Sequence, residues 1–430
     1  MIGELNRNDP SVTVVGAGIS GLMSAYVLDR AGYEVQLIEG TPRVGGVIKT
    51  YSSGYGLSEA AANSILVTPE FQAMCADIGV ELCTVSEDAK ARYIYESHRL
   101  CKWPLSVGQS LRLAWRVATK RASAVAVDEQ STLQDWAEFH FGRPVVQKLL
   151  EPFTLGIYGA RPEDLCIGAV FPKMLVPHGR SFLSHAGTMR KSNRKAGKRK
   201  AVMMAPRHGM QALCEGLQMH LKKKLGSRLL LGETVSELPA QGNVLLAVPA
   251  KAASKILKSV DAPLAELLVG LKHTSLISIT IHLRKSAFPV AKEPKGVGFL
   301  VAHGEDLKIL GVLFSSSSFQ GRAAHDFVTL TVMMGGQKYP EHLSYTDDHL
   351  REIVAQDLKK VFGIREEPVE SVIHRWTDTI PCYDVKVLRL LQWKGKGWFA
   401  QKGRILASNY SGSIGIRGMF DDALSLVSET

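Results

Sequence analysis

The chain has 430 residues, with 52 Lys and Arg against 41 Asp and Glu, a formal net charge of +11 and 45% apolar residues. That length supports a large core and two or three domains, and the composition excludes a disordered or low-complexity chain. No apolar run approaches the ~18 residues of a membrane span, residues 1–10 lack the apolar core of a signal peptide, and the six scattered cysteines contain no CxxC pair, so the expectation is a cytoplasmic chain with reduced thiols and no bound metal.

The first predicted element is a short strand at 12–15, followed by Gly16-Ala17-Gly18-Ile19-Ser20-Gly21 and a helix over 22–30. Gly16 allows a tight turn, Gly18 lets backbone N–H groups approach a pyrophosphate, and Gly21 permits close helix–strand packing. A second strand over 34–38 leads into Glu39 and Gly40. This places a carboxylate about 20 residues past the glycines, where it can hold a ribose hydroxyl. Arg43 and the pair Gly45-Gly46 follow. A guanidinium for the phosphates and a second close backbone approach suit a flavin dinucleotide, and a nicotinamide site has no use for them, so FAD is preferred over NAD.

Residues 60–180 read as mostly helical, with segments at 70–79, 108–121 and 132–150. In the second of these, Arg112, Arg116, Lys120 and Arg121 alternate with Leu111, Leu113, Ala114, Trp115 and Val117. Such a helix either lies on a membrane surface, with Trp103 as a further anchor, or packs its apolar stripe on the core. Residues 180–207 hold nine Lys and Arg and no acid, leaving +2 for the remainder. They read as a mobile basic loop. Its most basic part, 190–200, has no aromatic residue to stack on bases, which argues against nucleic acid and for an anionic membrane face or substrate.

Short strands at 229–231 and 243–247 extend the first, parallel sheet, while 276–283 and 327–334 belong to a second. A last strand at 405–407 precedes a small-residue turn, 409–418, and a closing helix whose N-terminus offers N–H groups to an anionic centre. The fold class is α/β, with a Rossmann-like FAD-binding domain built from discontinuous segments (10–65, 205–262, 373–430). A mixed-sheet substrate domain (66–100, 263–372) and a helical insertion (101–204) complete it. No His–Asp pair or paired carboxylate demands a catalytic role, and His98, His178 and His208 read as surface residues.

Five stretches carry a family resemblance: 91–95 with Trp103-Pro104-Leu105; 151–160 with Ala169-Val170-Phe171-Pro172; 296–301; 309–316 with Val332-Met333-Met334-Gly335-Gly336; and 375–383. Over about Ser11 to Leu424 the chain resembles the protoporphyrinogen oxidases, oxygen-dependent flavoenzymes of haem biosynthesis in the flavin monoamine-oxidase superfamily. The resemblance implies that Arg92 pairs with a propionate of the macrocycle. It also implies that Gly156, Val297, Gly298, Leu300 and Met333 line a flat slot, and that Ala61, Ala62, Asn63, Ser64, Val235, Trp376, Asn409, Ile414, Gly415 and Ile416 contact the flavin. Two departures keep residues small: Ala61-Ala62 where the family usually has Gly-Pro, and Ala407-Ser408 where it has Gly-Gly.

The implied chemistry is hydride transfer from the methylene bridges of a porphyrinogen to flavin N5, with loss of a pyrrole proton and reoxidation by dioxygen to hydrogen peroxide. Three rounds give the porphyrin, and the cofactor rather than a side chain is the hydride acceptor. Coproporphyrinogen III in place of protoporphyrinogen IX, a flavin amine oxidase (with Tyr383 and Tyr410 as an aromatic pair), and a catalytically lapsed flavin scaffold all stay open at this point. So do a homodimer and peripheral attachment to the cytoplasmic face of a membrane.

Overall fold

The computed structural model describes residues 1–123, 127–195, 200–239, 241–289 and 293–428. Its first sheet is parallel throughout. Strand Ser11–Val15 pairs with Glu34–Glu39 on one side and Asn243–Leu246 on the other, and Leu229–Leu231 and Arg404–Leu406 form the edges. Every residue of Asn243–Leu246 is buried, as a central strand covered on both faces must be. Alternate side chains serve two cores. Val12, Val14, Leu245 and Ile405 face the helices Ile19–Arg30, Gln211–Leu225 and Ile416–Val427. Val15, Val244, Leu246 and Leu406 face Ala250–Leu257, Ala262–Val269 and Val385–Leu391.

The second sheet has seven strands in the order Glu370–Pro381, His273–Arg284, Phe327–Gly335, Gly311–Leu313, Gly298–Val301, Arg92–Glu96, Arg99–Cys101. Only the pair Gly298–Val301 and Arg92–Glu96 is parallel. One face buries Ile277, Ile279, Ile281, Phe299, Val312 and Val332 with the helix Asp347–Phe362. Strand alternation sends Thr280, Ser278, Leu300, Thr331, Met333 and Trp376 to the other face. The boundary expected at 373 falls inside the strand Glu370–Pro381.

Two expectations are corrected. The helix read over 132–150 is interrupted: Leu133–Phe141 ends at Gly142 (φ 88°), and Arg143–Val145, a π-helical turn Val146–Leu150 and Glu151–Tyr158 follow. The apolar periodicity runs through, but a glycine at positive φ redirects the chain. The basic stretch is no loop over most of its length, because Phe182–Lys195 is a helix and Val202–Pro206 a strand; residues 196–199 lie outside the described residues. Phe182 packs edge-on against Phe141 at 4.8 Å and lies 6.0 Å from Trp136. That aromatic anchor seats the helix N-terminus, a contribution that charge counting overlooks.

No described helix is long and apolar enough to cross a membrane. All six cysteines are unpaired.

Candidate active site

A cleft of about 1020 Å³ opens at the C-terminal ends of the parallel strands. It is lined by Gly16, Gly18, Ile19, Ser20, Glu39, Gly40, Arg43, Gly45, Gly46, Val235 and Asn409, all expected as cofactor contacts. Each glycine has its own reason. A Cβ on Gly21 would overlap the Gly16 carbonyl oxygen, so this residue sits behind the cleft and sets the helix–strand distance. Gly16 has φ +101°, and a Cβ there would stand 2.6 Å from the Ala247 carbonyl oxygen. Gly18 has nothing within 4 Å of an added Cβ, because it faces open space. It caps the helix Ile19–Arg30 without a side-chain bond, so first-turn N–H groups stay available to an anion.

The second glycine pair is seated on the first. Gly45 N–H donates to the Ala17 carbonyl at 2.7 Å, and Gly46 approaches Gly18 closely. Glu39 ties this arrangement together, accepting from the Ala17 amide at 2.7 Å on one oxygen and from the Thr41 amide and hydroxyl at 2.9 and 2.8 Å on the other. The first of those oxygens keeps lone-pair capacity for a ribose hydroxyl. Arg43, expected at the phosphates, also has a local role. Its guanidinium donates to the carbonyls of Val44, Ile48 and Gly46, so it holds the loop in shape while lining the cleft.

The remaining expected flavin contacts stand around this cleft rather than in its lining. Ala17 lies behind it, as Gly21 does. The half-buried segment Ala61, Ala62, Asn63, Ser64 is fixed at both ends, by Trp376 Nε1 donating to the Ala60 carbonyl at 2.6 Å and by the Thr331 hydroxyl donating to Asn63 at 3.4 Å. Ile414 and Ile416 pack on the two cores of the first sheet. Gly415 caps the helix Ile416–Val427, again with open space where a Cβ would be. Of Tyr383 and Tyr410, only Tyr410 lines the cleft. Both are buried and donate to backbone carbonyls, Tyr383 to Asn409 and Gly412, Tyr410 to Val248. His98, His178 and His208 are exposed.

Of the residues expected to meet substrate, Arg92, Gly298, Leu300 and Met333 share the second sheet's face turned away from the helix Asp347–Phe362. Arg92 pairs in register with Gly298, and Leu300 with Gly311, which in turn pairs with Met333. Val297 precedes this row, its amide bonded to the Ala91 carbonyl at 2.8 Å. Arg92 is exposed and pairs with no carboxylate of the described residues. Gly156 does face this row, but the space it leaves is occupied. Leu300 Cδ2 lies 3.0 Å from a Cβ placed on Gly156 and 2.9 Å from one on Gly311, so a leucine rests across two glycines.

Sequence reasoning missed several residues. Lys255, Asp378, Ser408, Glu233, Thr234 and Ser236 line the cleft. Glu59 and Arg322 form a buried ion pair beside the Ala61–Ser64 segment. His374, next but one to Trp376, stacks on Tyr51 at 5.0 Å, and burial, reinforced by Lys49, holds its pKa below the usual imidazole value. The one signal available was an acid, Glu59, set directly before a run of small residues.

Comparison with known proteins settles the family. The model for flavin containing amine oxidoreductases matches residues 19–392. The chain belongs to that family. This flavin-containing amine oxidoreductase is 26% identical over 466 residues to the chloroplastic protoporphyrinogen oxidase of Nicotiana tabacum, covering 97% of this chain and 84% of the relative. It is 23% identical to the coproporphyrinogen III oxidase of Bacillus subtilis, covering 87% of each. In fold it is similar to the Exiguobacterium sp. 255-15 structure assigned to protoporphyrinogen oxidase, with TM-score 0.74, 19% identity and 97% of both chains. A reduced UDP-galactopyranose mutase is also similar, at TM-score 0.72 and 13% identity over 97% of this chain and 94% of that one. The amine oxidoreductase is thus a flavin-dependent oxidoreductase with a mixed α/β fold.

Proposed function

We propose that this enzyme binds FAD in the 1020 Å³ cleft and oxidises protoporphyrinogen IX to protoporphyrin IX, with dioxygen as acceptor and hydrogen peroxide as product. The glycine turns and the uncapped first turn of Ile19–Arg30 suit a pyrophosphate, Glu39 a ribose, and Gly415 at the last helix an anionic flavin edge. Bound flavin supplies the hydride acceptor. The observation that carries the substrate is the row Arg92–Gly298 with Leu300 and Met333: one unpaired guanidinium on the sheet face that also carries two apolar side chains. Arg92 would bind a propionate there, and Leu300 would swing off Gly156 and Gly311 to admit a planar ring. The relatives named for porphyrinogen oxidation support this reading.

The same geometry serves coproporphyrinogen III, as the Bacillus subtilis relative illustrates. Porphyrin fluorescence under air, started from each porphyrinogen in turn, separates the two. Arg92→Ala should raise the KM for the preferred substrate about tenfold while leaving flavin content unchanged. Unchanged apparent affinity would discard the propionate role, and no fluorescence from either substrate would discard the activity.

A peripheral place on the cytoplasmic face of a membrane belongs to the same proposal. The helix Val107–Thr119 buries no residue, and Val107, Leu111 and Trp115 line up along it at 78, 67 and 69% exposure. With Arg112 on the same helix, that stripe suits an anionic lipid surface.

A further inference from the structure

Beside the segment Ala61–Ser64 lies a second, small cavity. Its volume is about 20 Å³, it is not sealed from the surface, and it is lined by Asn63, Ser64, Val297, Leu313, Ser315, Ser318, Arg322 and others. Arg322 is only 2% exposed. Its Nη1 pairs with Glu59, which also accepts the Met210 amide at 2.9 Å and the Thr50 hydroxyl at 2.7 Å. Arg322 Nη2 is buried and has no hydrogen-bond partner. A buried donor of this kind left unsatisfied costs about 1–3 kcal/mol, more for a charged group. The unmatched donor therefore needs an acceptor, and the cavity it lines has room for one.

We propose that this cavity holds one ordered water, bound by Arg322 Nη2 and shared with the Asn63–Ser64 segment and the Ser315 and Ser318 side chains. Size and charge select that ligand. A cavity accepts a water once it offers roughly 10–15 Å³, which this one exceeds and which a carboxylate or phosphate would outgrow. Glu59 already balances the guanidinium, so no further anion is called for. The water links the buried ion pair to Ala61–Ser64, whose two ends are held by Trp376 and Thr331. Arg322 thereby acts as a positioning residue. It touches neither flavin nor substrate, and it sets how the small residues Ala61 and Ala62 are presented to the ring. This role rests on the flavin-facing reading of Ala61–Ser64 given above, whereas the water itself does not.

Crystallography of the full chain, with and without FAD, tests the site. One full-occupancy water within hydrogen-bond distance of Arg322 Nη2 in both forms is expected. An empty cavity, or Nη2 bonded directly to a protein oxygen, overturns the inference. The positioning role is read in Arg322→Lys, which keeps the charge opposite Glu59 but loses the forked donor. The variant is expected to fold, to lack the water, and to show shifted flavin absorbance maxima with FAD held about fivefold to tenfold more weakly. Ser64→Ala, a smaller change on the opposite wall, should move the spectrum the same way. If both variants leave spectrum and affinity as in the parent, Arg322 does not position the segment. A parent protein that never binds flavin speaks instead against the cofactor reading, and the flavin-free crystal still decides the water.

Discussion

At the scale of single residues, three glycines in six positions do different jobs, and substitution separates them. Gly18→Ala adds a methyl group to open space, so the flavin-free protein should melt within about 2 °C of the parent; the methyl stands where a pyrophosphate would lie, and FAD affinity should fall at least tenfold. Gly21→Ala drives a methyl group into the Gly16 carbonyl, with Ala247 Cβ 3.1 Å away. Overpacking of this kind costs about 1–3 kcal/mol, so stability falls even without cofactor. Differential scanning fluorimetry and a flavin titration on both variants read the contrast; equal effects on folding would show that Gly18 does not face the ligand. These roles were legible in the sequence because each constraint closes within a few residues. The Arg322–Glu59 pair was not, because its two members lie 263 positions apart and only the fold joins them. Arg43 illustrates a further limit, since its residue type suggested a phosphate but gave no sign that it also bonds three carbonyls of its own loop.

At the scale of elements, the parallel strands and their helices were visible from apolar runs between turn residues, while the helical region 101–204 was legible only in outline. Its aromatic packing explains both the failure and a pH dependence. His140 is 1% exposed, ringed by Trp136, Phe139, Phe141 and Phe182, and neither ring nitrogen finds a partner. Burial foremost, then Arg116, Lys120 and His185 nearby, push its pKa down from 6.5 to about 4. Between those values the unfolded chain binds a proton that the folded chain refuses, so stability drops as pH falls from 6.5 towards 4 and loses no more to this group below that. The full loss amounts to about 3 kcal/mol. His140→Phe should flatten that part of the acid limb in urea denaturation at pH 7 and 4.5. A parent and variant with the same pH slope would remove His140 from the account. On the neighbouring helix, Leu111→Gln with Trp115→Gln should abolish co-sedimentation with anionic vesicles and leave the melting temperature unchanged, since neither side chain is buried. Persistent sedimentation would return the stripe to a solvated face.

At the scale of the whole molecule, the two sheets meet through a hairpin and the loop after it. The strands Thr50–Ser52 and Leu57–Glu59 carry Glu59 to Arg322, Ala60 accepts from Trp376, and Asn63 accepts from Thr331. The cleft lies between the sheets but apart from this hairpin, with Glu39, Gly45 and Asn409 from the first sheet's loops and His273 and Asp378 from the second sheet among its walls. A ligand that fills it binds only when both sheets are in place, so it stabilises the folded chain by mass action, about 4 kcal/mol at a thousandfold excess over Kd. Spread over 430 residues, that energy raises the melting temperature by only a few degrees, because the entropy of unfolding grows with chain length. Stripping the flavin should therefore lower Tm by about 3–6 °C and merge no transitions that were separate before. If instead the flavin-free protein unfolds in two steps, one sheet is stable without the other, and the junction at Glu59, Ala60 and Asn63 contributes less to cohesion than the bound cofactor does.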